Sequence, residues 1–449
     1  MNFEHIKNIH FVGIGGIGMS GIAEILADRG VTVSGCDLKP SAMTDLLAQR
    51  GIPVSIGHDP AHLAGVDLLV VTSAVRGENA EVDAARARGM RVMKRKEALG
   101  VLVNDKRAVG VSGTHGKTTT SAMIAVVLQE AGLDPTIIIG GMLRNIGSNA
   151  RSGRGDVAVV EADEYDRSFH ELHPEIAVVT NIEADHLEYY GSFEAIADAF
   201  RVFVEGIKPG GPVVGCVDDP AVASLLDRVD RRVVRYGLSE SADLHATNIS
   251  FDERGSHFEV PGVGWFRLFV PGEHNVRNAL AAIAVARELG IATAVTTAAL
   301  AKFLGVDRRF QILGHYAGAI IVDDYAHHPT EIRATLTAAR RGYPHRRIVA
   351  LFQPHLYTRT RDFARQFAES LQIADVALVA PIYAAREKQM EGITSQLIAD
   401  AGKGVEFLQR TNAQIVEELR RRLRPNDLFI TLGAGDVHEI SEALVEAGA

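Results

Sequence analysis

The sequence alternates short apolar runs with amphipathic stretches, and this pattern occurs in three successive blocks along 449 residues. Runs such as NIHFVGIG, VAVVEAD and RIVALFQP have the length of buried strands, and the stretches between them have helical spacing. Strands that alternate with helices form parallel sheets with helices on their faces. Because 449 residues exceed one ordinary hydrophobic core, we predict three successive α/β domains, at residues 1–105, 106–309 and 310–449.

Each third has its own predicted elements. The first has strands at NIHFVGIG, TVSGCD, VDLLVVTSA and RVMK, and ends in a polar break at NDKR. In the second, a polar segment at 242–270 predicts antiparallel strands on the domain's edge, and helices are predicted from Asn275 to Phe303. The last third predicts four strands separated by three helices.

Composition excludes several classes of protein. The net charge of −9 argues against a general nucleic-acid binder. We expect no membrane insertion, since no run reaches the roughly 18 apolar residues of a spanning helix. The N-terminus lacks the apolar core of a signal peptide. The two cysteines, Cys36 and Cys216, are too few and too distant for a disulfide framework or a cysteine metal cluster. We therefore predict a cytoplasmic protein.

The segment VGVSGTHGKTTTSAM, at 109–123, is typical of a phosphate-binding loop between a strand and a helix. Gly113 and Gly116 let backbone N–H groups approach phosphate oxygens, and the helix N-terminus favours an anion. Lys117 can reach the terminal phosphates of a nucleotide, and the Thr118 hydroxyl can join a Mg²⁺ shell. The strict motif has a glycine where this chain has Val111. The alternative interpretation is a glycine turn with a solvated lysine.

Acidic residues follow the predicted strand VAVVEAD, where a metal carboxylate is expected. Carboxyl ends of strands form the ligand edge of an α/β sheet, and Mg²⁺ prefers hard oxygen ligands. Glu161 is the first polar residue after that strand, so we predict it as a metal ligand. The alternative is an acidic helix N-terminus. Asp185 and His186 follow the next strand at the same predicted edge, and a metal or substrate role for His186 stands beside a structural one.

The N-terminal loop GIGGIGMSG matches a dinucleotide-binding fingerprint. Gly13, Gly15 and Gly18 form G-x-G-x-x-G after a strand, and Asp37 ends the next strand. This pattern specifies a diphosphate at a helix N-terminus and a carboxylate near a ribose. A nicotinamide dinucleotide and a UDP-sugar both satisfy it.

Further polar groups lie near the ends of predicted elements in the last part of the chain. Asn275 and Asn278 are three residues apart, on one face of a helix start, where their amides could contact a base or a ribose. The segment VDDYAHHPTE brings several polar groups to a strand end. QPHLYTRT follows the next strand, and its Arg359 could bind a carboxylate bidentately.

With these residues assembled, the chain resembles the Mur ligase family over essentially its whole length. The ATP loop of that family reads G-T-x-G-K-T-T, which GTHGKTTT matches, so Val111 is not a defect. Other motifs occur in the family's order: GIGGIGMSG, EADEYD, TNIEADH, HNVRNAL, RRFQ, DDYAHHPTE, QPHLYTRT and GAGD. The resemblance implies a Rossmann-like N-terminal domain, a central P-loop-type ATP-binding domain and a Rossmann-like C-terminal domain.

The resemblance also implies an activity and its substrates. It is strongest to the branch that uses ATP to join L-alanine to the lactyl carboxylate of UDP-N-acetylmuramate through an acyl phosphate, in peptidoglycan precursor synthesis. His115 favours this branch. The implied cofactor is Mg²⁺, and a monomer or homodimer is expected. Alternatives are the ligase that recycles a murein tripeptide onto the same sugar nucleotide, an NAD-dependent dehydrogenase, and a non-catalytic nucleotide-binding regulator.

The resemblance assigns roles residue by residue. The implied ATP-binding residues are Gly113, Thr114, His115, Gly116, Lys117, Thr118, Thr119, Asn275, Asn278, Arg309 and Asp324. The implied UDP-sugar-binding residues are Gly13, Gly15, Gly16, Gly18, Met19, Asp37 and Ser73. The implied amino-acid-binding residues are Tyr325, His327 and Arg359. The implied metal ligands are Thr118, Glu161 and His186. The implied catalytic residues are Lys117, Glu161, His186, Arg309 and Arg359. Leu356 stands where the family often has arginine, which leaves more of the amino-acid binding to Arg359.

Overall fold

The computed structural model describes residues 3, 5–75, 77–385 and 387–448. It divides into two compact units. The first runs to Thr247 and includes Val260–Gly264 and Arg277–Phe303. The second comprises Asn248–Glu259, Trp265–Val276 and the chain from Leu304 onward.

The N-terminal part of the first unit holds a five-stranded sheet with the order β3-β2-β1-β4-β5. Its elements are β1 (Asn8–Val12), α1 (Ile17–Asp28), β2 (Thr32–Asp37), α2 (Ala42–Gln49), β3 (Val54–Ile56), a 3-10 helix (Pro60–Leu63), β4 (Leu68–Val71), α3 (Ala80–Ala87), β5 (Arg91–Lys94) and α4 (Arg95–Val103). Neighbouring strands all pair in parallel. Rossmann folds have the same strand order, 3-2-1-4-5, so the predicted Rossmann-like architecture is confirmed. Strand β3, which is three residues long, was not predicted.

The rest of the first unit is built on an eight-stranded sheet with the order β13-β12-β11-β10-β6-β9-β7-β8. Its elements are β6 (Arg107–Ser112), α5 (Lys117–Glu130), β7 (Thr136–Leu143), β8 (Ser148–Arg151), β9 (Val157–Glu161), a 3-10 helix (Tyr165–Glu171), β10 (Ile176–Val179), α6 (Leu187–Tyr190), α7 (Phe193–Glu205), β11 (Pro212–Cys216), α8 (Pro220–Leu226), β12 (Arg232–Gly237) and β13 (Leu244–His245). β6 lies between β10 and β9 and is parallel to both. The apolar runs predicted as buried strands are confirmed, since the first four residues of β9 and all of β10 are buried.

The predicted edge segment at 242–270 needs one correction. Its first strand, β13, pairs in parallel with β12, because it extends the main sheet. The rest of the segment forms a separate three-stranded sheet with the order β14-β15-β16, from β14 (Thr247–Asp252), β15 (Gly255–Val260) and β16 (Gly264–Leu268). The predicted helices follow as α9 (Glu273–Glu288) and α10 (Thr293–Ala301).

The second unit holds a six-stranded sheet with the order β17-β18-β22-β19-β20-β21. Its elements are β17 (Gln311–Tyr316), β18 (Ala319–Asp324), α11 (Pro329–Gly342), β19 (Arg347–Phe352), α12 (Tyr357–Leu371), β20 (Val376–Val379), α13 (Gln396–Ala401), β21 (Val405–Phe407), α14 (Asn412–Arg422), β22 (Asp427–Leu432) and α15 (His438–Gly448). All four predicted strands form. The single helix predicted between β20 and β22 is wrong, because α13, β21 and α14 occupy that stretch. The edge strand β17, which is antiparallel to β18, was not predicted.

Across the described residues, no helix combines the length and apolar character needed to cross a bilayer.

Candidate active site

The glycine loop of the central sheet follows β6, the strand at which the order of the sheet reverses. β6 is flanked by β10 on one side and β9 on the other. The segments that follow these three parallel strands therefore meet at one edge of the sheet, where α/β proteins bind ligands. The topology thus brings together the loop at 113–116, the acidic segment at 161–166 and the segment at 180–186.

Both loop glycines occupy positions where a side chain does not fit. Gly113 has a φ of +141°, and a Cβ atom there would overlap the hydroxyl of Thr180. Gly116 has a φ of +81°, and a Cβ atom there would lie 2.9 Å from Oδ1 of Asn278. Because L-residues rarely adopt such angles, the backbone itself requires glycine at both positions. Val111 is buried within β6, one residue before that strand ends.

The segment after β10 fixes the loop through its polar groups. Asn181 Oδ1 accepts a hydrogen bond of 2.8 Å from the His115 amide. The Thr114 hydroxyl oxygen accepts one of 2.8 Å from the Glu183 amide. The Thr180 hydroxyl donates to the His115 carbonyl at 2.6 Å. These hydrogen bonds therefore fix the shape of the loop.

Two helices that follow glycine loops begin without a side-chain cap. Gly16 is the N-cap of α1 and Gly116 the N-cap of α5, and glycine has no side chain with which to cap a helix. By contrast, α2, α3 and α7 are capped by Ser41, Asn79 and Ser192. Uncapped N–H groups at a helix start suit an anionic ligand. The phosphate position at both loops stays a prediction.

Lys117 begins α5 and turns its ammonium group back over the loop. Its Nζ atom donates to the carbonyl oxygens of Gly113 at 2.5 Å and Thr114 at 3.1 Å. It also lies 3.0 Å from Oε1 and 2.8 Å from Oε2 of Glu164. Both side chains are largely buried, with exposed fractions of 13% for Lys117 and 5% for Glu164.

The acidic groups around Lys117 keep it charged. Burial lowers the pKa of the ammonium group, but the carboxylates of Glu164, Asp163 and Glu161 together raise it more, so the pKa lies above its ordinary value. A cationic lysine at a glycine loop can stabilise negative charge on a transferred phosphoryl group.

The three predicted metal ligands lie at this edge on different segments. Thr118 is in the first turn of α5 and is 6% exposed. Glu161 ends β9, and its Oε2 atom accepts a hydrogen bond of 2.8 Å from Gly140 on β7. His186 has a φ of +56° as the N-cap of α6, its Nε2 atom lies 3.8 Å from Asp185, and its ring packs edge-on against Tyr165. A hydroxyl and a carboxylate are donors that Mg²⁺ accepts.

The two predicted base-reading asparagines already have protein partners. Asn278 Oδ1 accepts a hydrogen bond of 3.1 Å from the Thr120 hydroxyl on α5, so this side chain supports the loop helix. In the second unit, Asn275 Nδ2 donates to the Pro271 carbonyl at 2.7 Å. Each side chain is 6% exposed. Thr119, also predicted to contact ATP, is 9% exposed.

The N-terminal glycine loop packs closely against Asp37 and Thr72. A Cβ atom on Gly13 (φ +79°) would lie 2.5 Å from Thr72, and one on Gly15 would lie 2.9 Å from Asp37. Asp37 Oδ2 accepts from the Gly15 amide at 2.9 Å, and Oδ1 accepts from the Leu38 amide at 2.7 Å. The carboxylate therefore stabilises the loop directly.

The remaining predicted residues of this loop lie around the start of α1 and the end of β4. Gly16 is exposed, and Gly18 faces Arg95 closely, with 2.8 Å between an ideal Cβ and Nη1. Ser73 is exposed in the turn after β4. Met19 differs from the expectation for a ligand contact, because its side chain is 1% exposed and belongs to the hydrophobic core.

In the second unit, four predicted residues cluster near the end of β18. Asp324 is buried, and its two oxygens accept from the amides of Phe310 at 2.7 Å and Ala326 at 2.8 Å. The guanidinium group of Arg309 lies 5.3 Å from the ring centre of Tyr325. His327 packs edge-on against Tyr325, and its Nδ1 atom lies 2.9 Å from the Tyr325 carbonyl.

Burial has the largest effect on the pKa of Asp324. It raises the pKa of this carboxyl to about 6, although Arg309 and the two backbone hydrogen bonds oppose the shift.

Arg359 lies in the first turn of α12, a helix of 15 residues. The Glu387 carboxylate accepts hydrogen bonds from the Thr358 amide at 3.0 Å and from the Thr358 hydroxyl at 2.5 Å in the same turn. The helix N-terminus and the guanidinium group both favour a carboxylate. Its N-cap is Leu356, which has a φ of +73° and is 7% exposed. A bulky residue in this conformation is rare, and such backbone geometry is often found at functional sites.

Sequence reasoning named the acidic segment but placed its emphasis on Glu161. The structure adds Glu164, whose side chain pairs with Lys117 and is the more deeply buried. It also adds Thr180 and Asn181, which fix the loop. Both residues belong to the motif TNIEADH, directly after an apolar strand, but only the last two residues of that motif, Asp185 and His186, were predicted to have a role.

Family models match almost the whole chain in three consecutive segments. Residues 8–107 match the Mur ligase family catalytic domain. Residues 111–286 match the Mur ligase middle domain. Residues 308–435 match the Mur ligase glutamate ligase domain.

Curated relatives are similar over their full length. The UDP-N-acetylmuramate–L-alanine ligase of Sorangium cellulosum is 46% identical over 443 residues, covering 96% of this chain and 94% of that protein. The enzyme of the same name from Renibacterium salmoninarum is 46% identical over 454 residues, covering 100% and 97%.

Solved structures agree with this similarity. The UDP-N-acetylmuramate-alanine ligase of Thermotoga maritima has a TM-score of 0.85 at 33% identity, covering 99% of both chains. A murein peptide ligase from Psychrobacter arcticus has a TM-score of 0.73 at 26% identity, covering 98% of both chains. With the two glycine loops, the buried lysine and three matching family segments, the chain belongs to the Mur ligase family.

Proposed function

We propose that this chain uses ATP to join L-alanine to the lactyl carboxylate of UDP-N-acetylmuramate. The observation that carries the proposal is the ammonium group of Lys117, which hydrogen bonds to the Gly113 and Thr114 carbonyls hold over the glycine loop at the start of α5. Relatives that are named for this reaction and match over their full length support the choice of substrates.

The chemistry proceeds in two steps on the bound substrates. An amine does not displace oxygen from a free carboxylate, so the sugar's carboxylate first attacks the γ-phosphorus of ATP, giving an acyl phosphate and ADP. The amine of alanine then attacks the acyl carbon, and phosphate leaves. Lys117 stabilises the transferred phosphoryl group, and the loop amides near Gly116 bind the phosphate chain.

We assign Mg²⁺ to the sheet edge, where Thr118 and Glu161 would hold it and His186 would complete the set. The hydroxyl and carboxylate donors fit this cation, and Glu161 is oriented by the Gly140 amide. When bound, Mg²⁺ offsets negative charge on the phosphates. We place the sugar nucleotide at the loop from Gly13 to Gly18, and alanine near Arg359.

We retain domain boundaries at 1–105, 106–309 and 310–449 as part of the proposal. A cytoplasmic location accords with nucleotide substrates. A UDP-sugar is preferred to NAD at the first loop because the central glycine loop and the whole C-terminal part need an explanation that a dehydrogenase does not give.

ADP release measured with UDP-N-acetylmuramate and a panel of amino acids and peptides tests the proposal. We expect release that requires both the sugar nucleotide and L-alanine. Release that requires a murein tripeptide instead would assign the chain to the recycling reaction. NAD reduction without ADP release would refute ligation altogether.

A further inference from the structure

A cluster of four side chains lies behind the N-terminal glycine loop and has no part in the proposed reaction. Its members are His10 on β1, Cys36 on β2, His62 in the 3-10 helix after β3, and Glu81 in the first turn of α3. One donor atom from each lies within 4.8 Å of all the others. Two imidazoles, a thiol and a carboxylate are thus brought together by four separate elements.

The contacts within the cluster converge on Glu81. Its Oε2 atom lies 3.0 Å from Sγ of Cys36. Its Oε1 atom lies 2.6 Å from Nδ1 of His62 and 3.9 Å from Nε2 of His10. In a tetrahedral site with bonds of about 2.0–2.3 Å, ligand atoms lie roughly 3.3–3.8 Å apart, so small side-chain movements complete the shell.

Hydrogen bonds within the cluster do not account for the ring of His10. Its side chain is 2% exposed, and among the residues that the structure describes its Nε2 atom is buried without a hydrogen-bond partner. Its Nδ1 atom lies 2.8 Å from the Ser34 hydroxyl oxygen. Donation from Nδ1–H to that oxygen leaves the Nε2 lone pair directed into the cluster, which is how a metal-binding histidine is usually oriented.

We propose that His10, Cys36, His62 and Glu81 form a Zn²⁺ site. This donor set combines nitrogen, sulfur and carboxylate ligands, which zinc accepts in tetrahedral coordination and which Mg²⁺ does not favour. Four protein ligands leave no open position, so the site is structural. The site needs only one cysteine, so it is compatible with the expectation that two distant cysteines do not form a cysteine metal cluster.

Protonation states agree with this assignment. Burial lowers the pKa of His10 to about 4, so its imidazole is neutral and can bind a cation at neutral pH. Burial and the adjacent Glu81 carboxylate raise the pKa of the Cys36 thiol, so the thiol is protonated without metal. Binding of Zn²⁺ therefore forms a Zn–S bond and releases the thiol proton to solvent. His58, with Nδ1 3.2 Å from Sγ, is placed to donate to the resulting thiolate.

The site adjoins the loop assigned to the sugar nucleotide without sharing its residues. The Cys36 carbonyl accepts hydrogen bonds from the amides of Gly13 at 2.9 Å and Ile14 at 3.0 Å. A metal on Cys36 would therefore brace β1, β2 and the loop between β1 and α1. This role does not depend on which ligand the loop binds.

The test uses the untagged, full-length protein after removal of metals with a chelator. We expect one Zn²⁺ per chain after dialysis, an increase in Tm on adding Zn²⁺, and a thiolate-to-cobalt charge-transfer band when Co²⁺ is added instead. Cys36→Ser should abolish that band and weaken zinc binding at least tenfold. His62→Ala, at a partly exposed ligand, should weaken binding similarly while leaving the core intact.

The matched control is Cys216→Ser, which removes the other buried thiol at a position on β11. It should keep both the metal stoichiometry and the cobalt band. The proposal is overturned if the wild-type protein retains no zinc and shows no cobalt band, or if Cys36→Ser and His62→Ala bind zinc as the wild type does. None of these readouts depends on ligase activity, so the site and the proposed function fail separately.

Discussion

The Nζ atom of Lys117 lies 2.8 Å from Oε2 of Glu164, and the pair is buried at the start of α5. The same ammonium group donates to two carbonyl oxygens of the glycine loop. Glu164 therefore occupies a place beside Lys117 that a nucleotide phosphate would have to share or take over. The protein's own groups therefore position the lysine.

Because Lys117 belongs to this buried pair, Lys117→Ala should affect both activity and stability. Removal of one partner of a buried ion pair costs about 3–5 kcal/mol, because the other charge stays buried without compensation. We expect Lys117→Ala to abolish ATP-dependent turnover and to lower the free energy of unfolding. Lys117→Ala/Glu164→Gln should regain much of the stability while staying inactive, as measured by urea unfolding and ADP release. Turnover near the wild-type rate in the folded double variant would remove Lys117 from the phosphate site.

The loop glycines give a second prediction. Gly113→Ala places a methyl group against the Thr180 hydroxyl in addition to forcing a positive φ. Gly132→Ala, with a φ of +73° and open space around it, imposes strain without overlap. We expect Gly132→Ala to cost about 1–2 kcal/mol and Gly113→Ala about 1–3 kcal/mol more, with a raised KM for ATP in Gly113→Ala alone. Equal losses of stability would show that the contact with Thr180 does not shape the loop.

The sheets were predictable, because strands buried on both faces give long apolar runs such as IAVVTNIE. The three-residue strands β3 and β21 were missed, since three residues carry too little periodicity. Contacts between side chains that follow neighbouring strands could not be predicted from the sequence either. Glu164 reaches Lys117 only because β9 lies beside β6, and 47 residues separate the two in the chain. The order of strands decides which of several neighbouring carboxylates meets the lysine.

The raised pKa of Asp324 leads us to expect a pH dependence of stability in the ligand-free protein. Its pKa is raised from 3.8 to about 6, because burial disfavours the carboxylate. Between these values the folded state binds more protons than the unfolded state, so this group makes the free energy of unfolding fall as pH rises from about 4 to above 6. The full effect is about 3 kcal/mol.

Urea unfolding of the wild type and Asp324→Asn across this pH range isolates the effect. The asparagine does not titrate, so the stability of the wild type relative to the variant should decrease with rising pH and level off near pH 7. A difference that stays constant from pH 4 to pH 7 would contradict the raised pKa.

The last prediction concerns the amino acid. Arg359 lies in the first turn of α12, and Leu356 stands where the family resemblance implies an arginine. With that second cation absent, we expect Arg359 to bind most of the charge of the alanine carboxylate. Loss of one partner of such a pair costs about 2–5 kcal/mol, so Arg359→Ala should raise the KM for L-alanine at least about thirtyfold.

Arg361→Ala is the matched control for this measurement. Arg361 is on the same helix, its side chain is 49% exposed, and it pairs with Asp362. Its removal should leave the KM for alanine unchanged, because an exposed pair of this kind contributes little. Nucleotide and sugar-nucleotide binding should be unaffected in both variants. If Arg359→Ala instead abolishes ATP binding while the KM for alanine stays unchanged, Arg359 serves the nucleotide, and the alanine carboxylate must be held by other groups of the second unit, with the cluster around Tyr325 and His327 next to test.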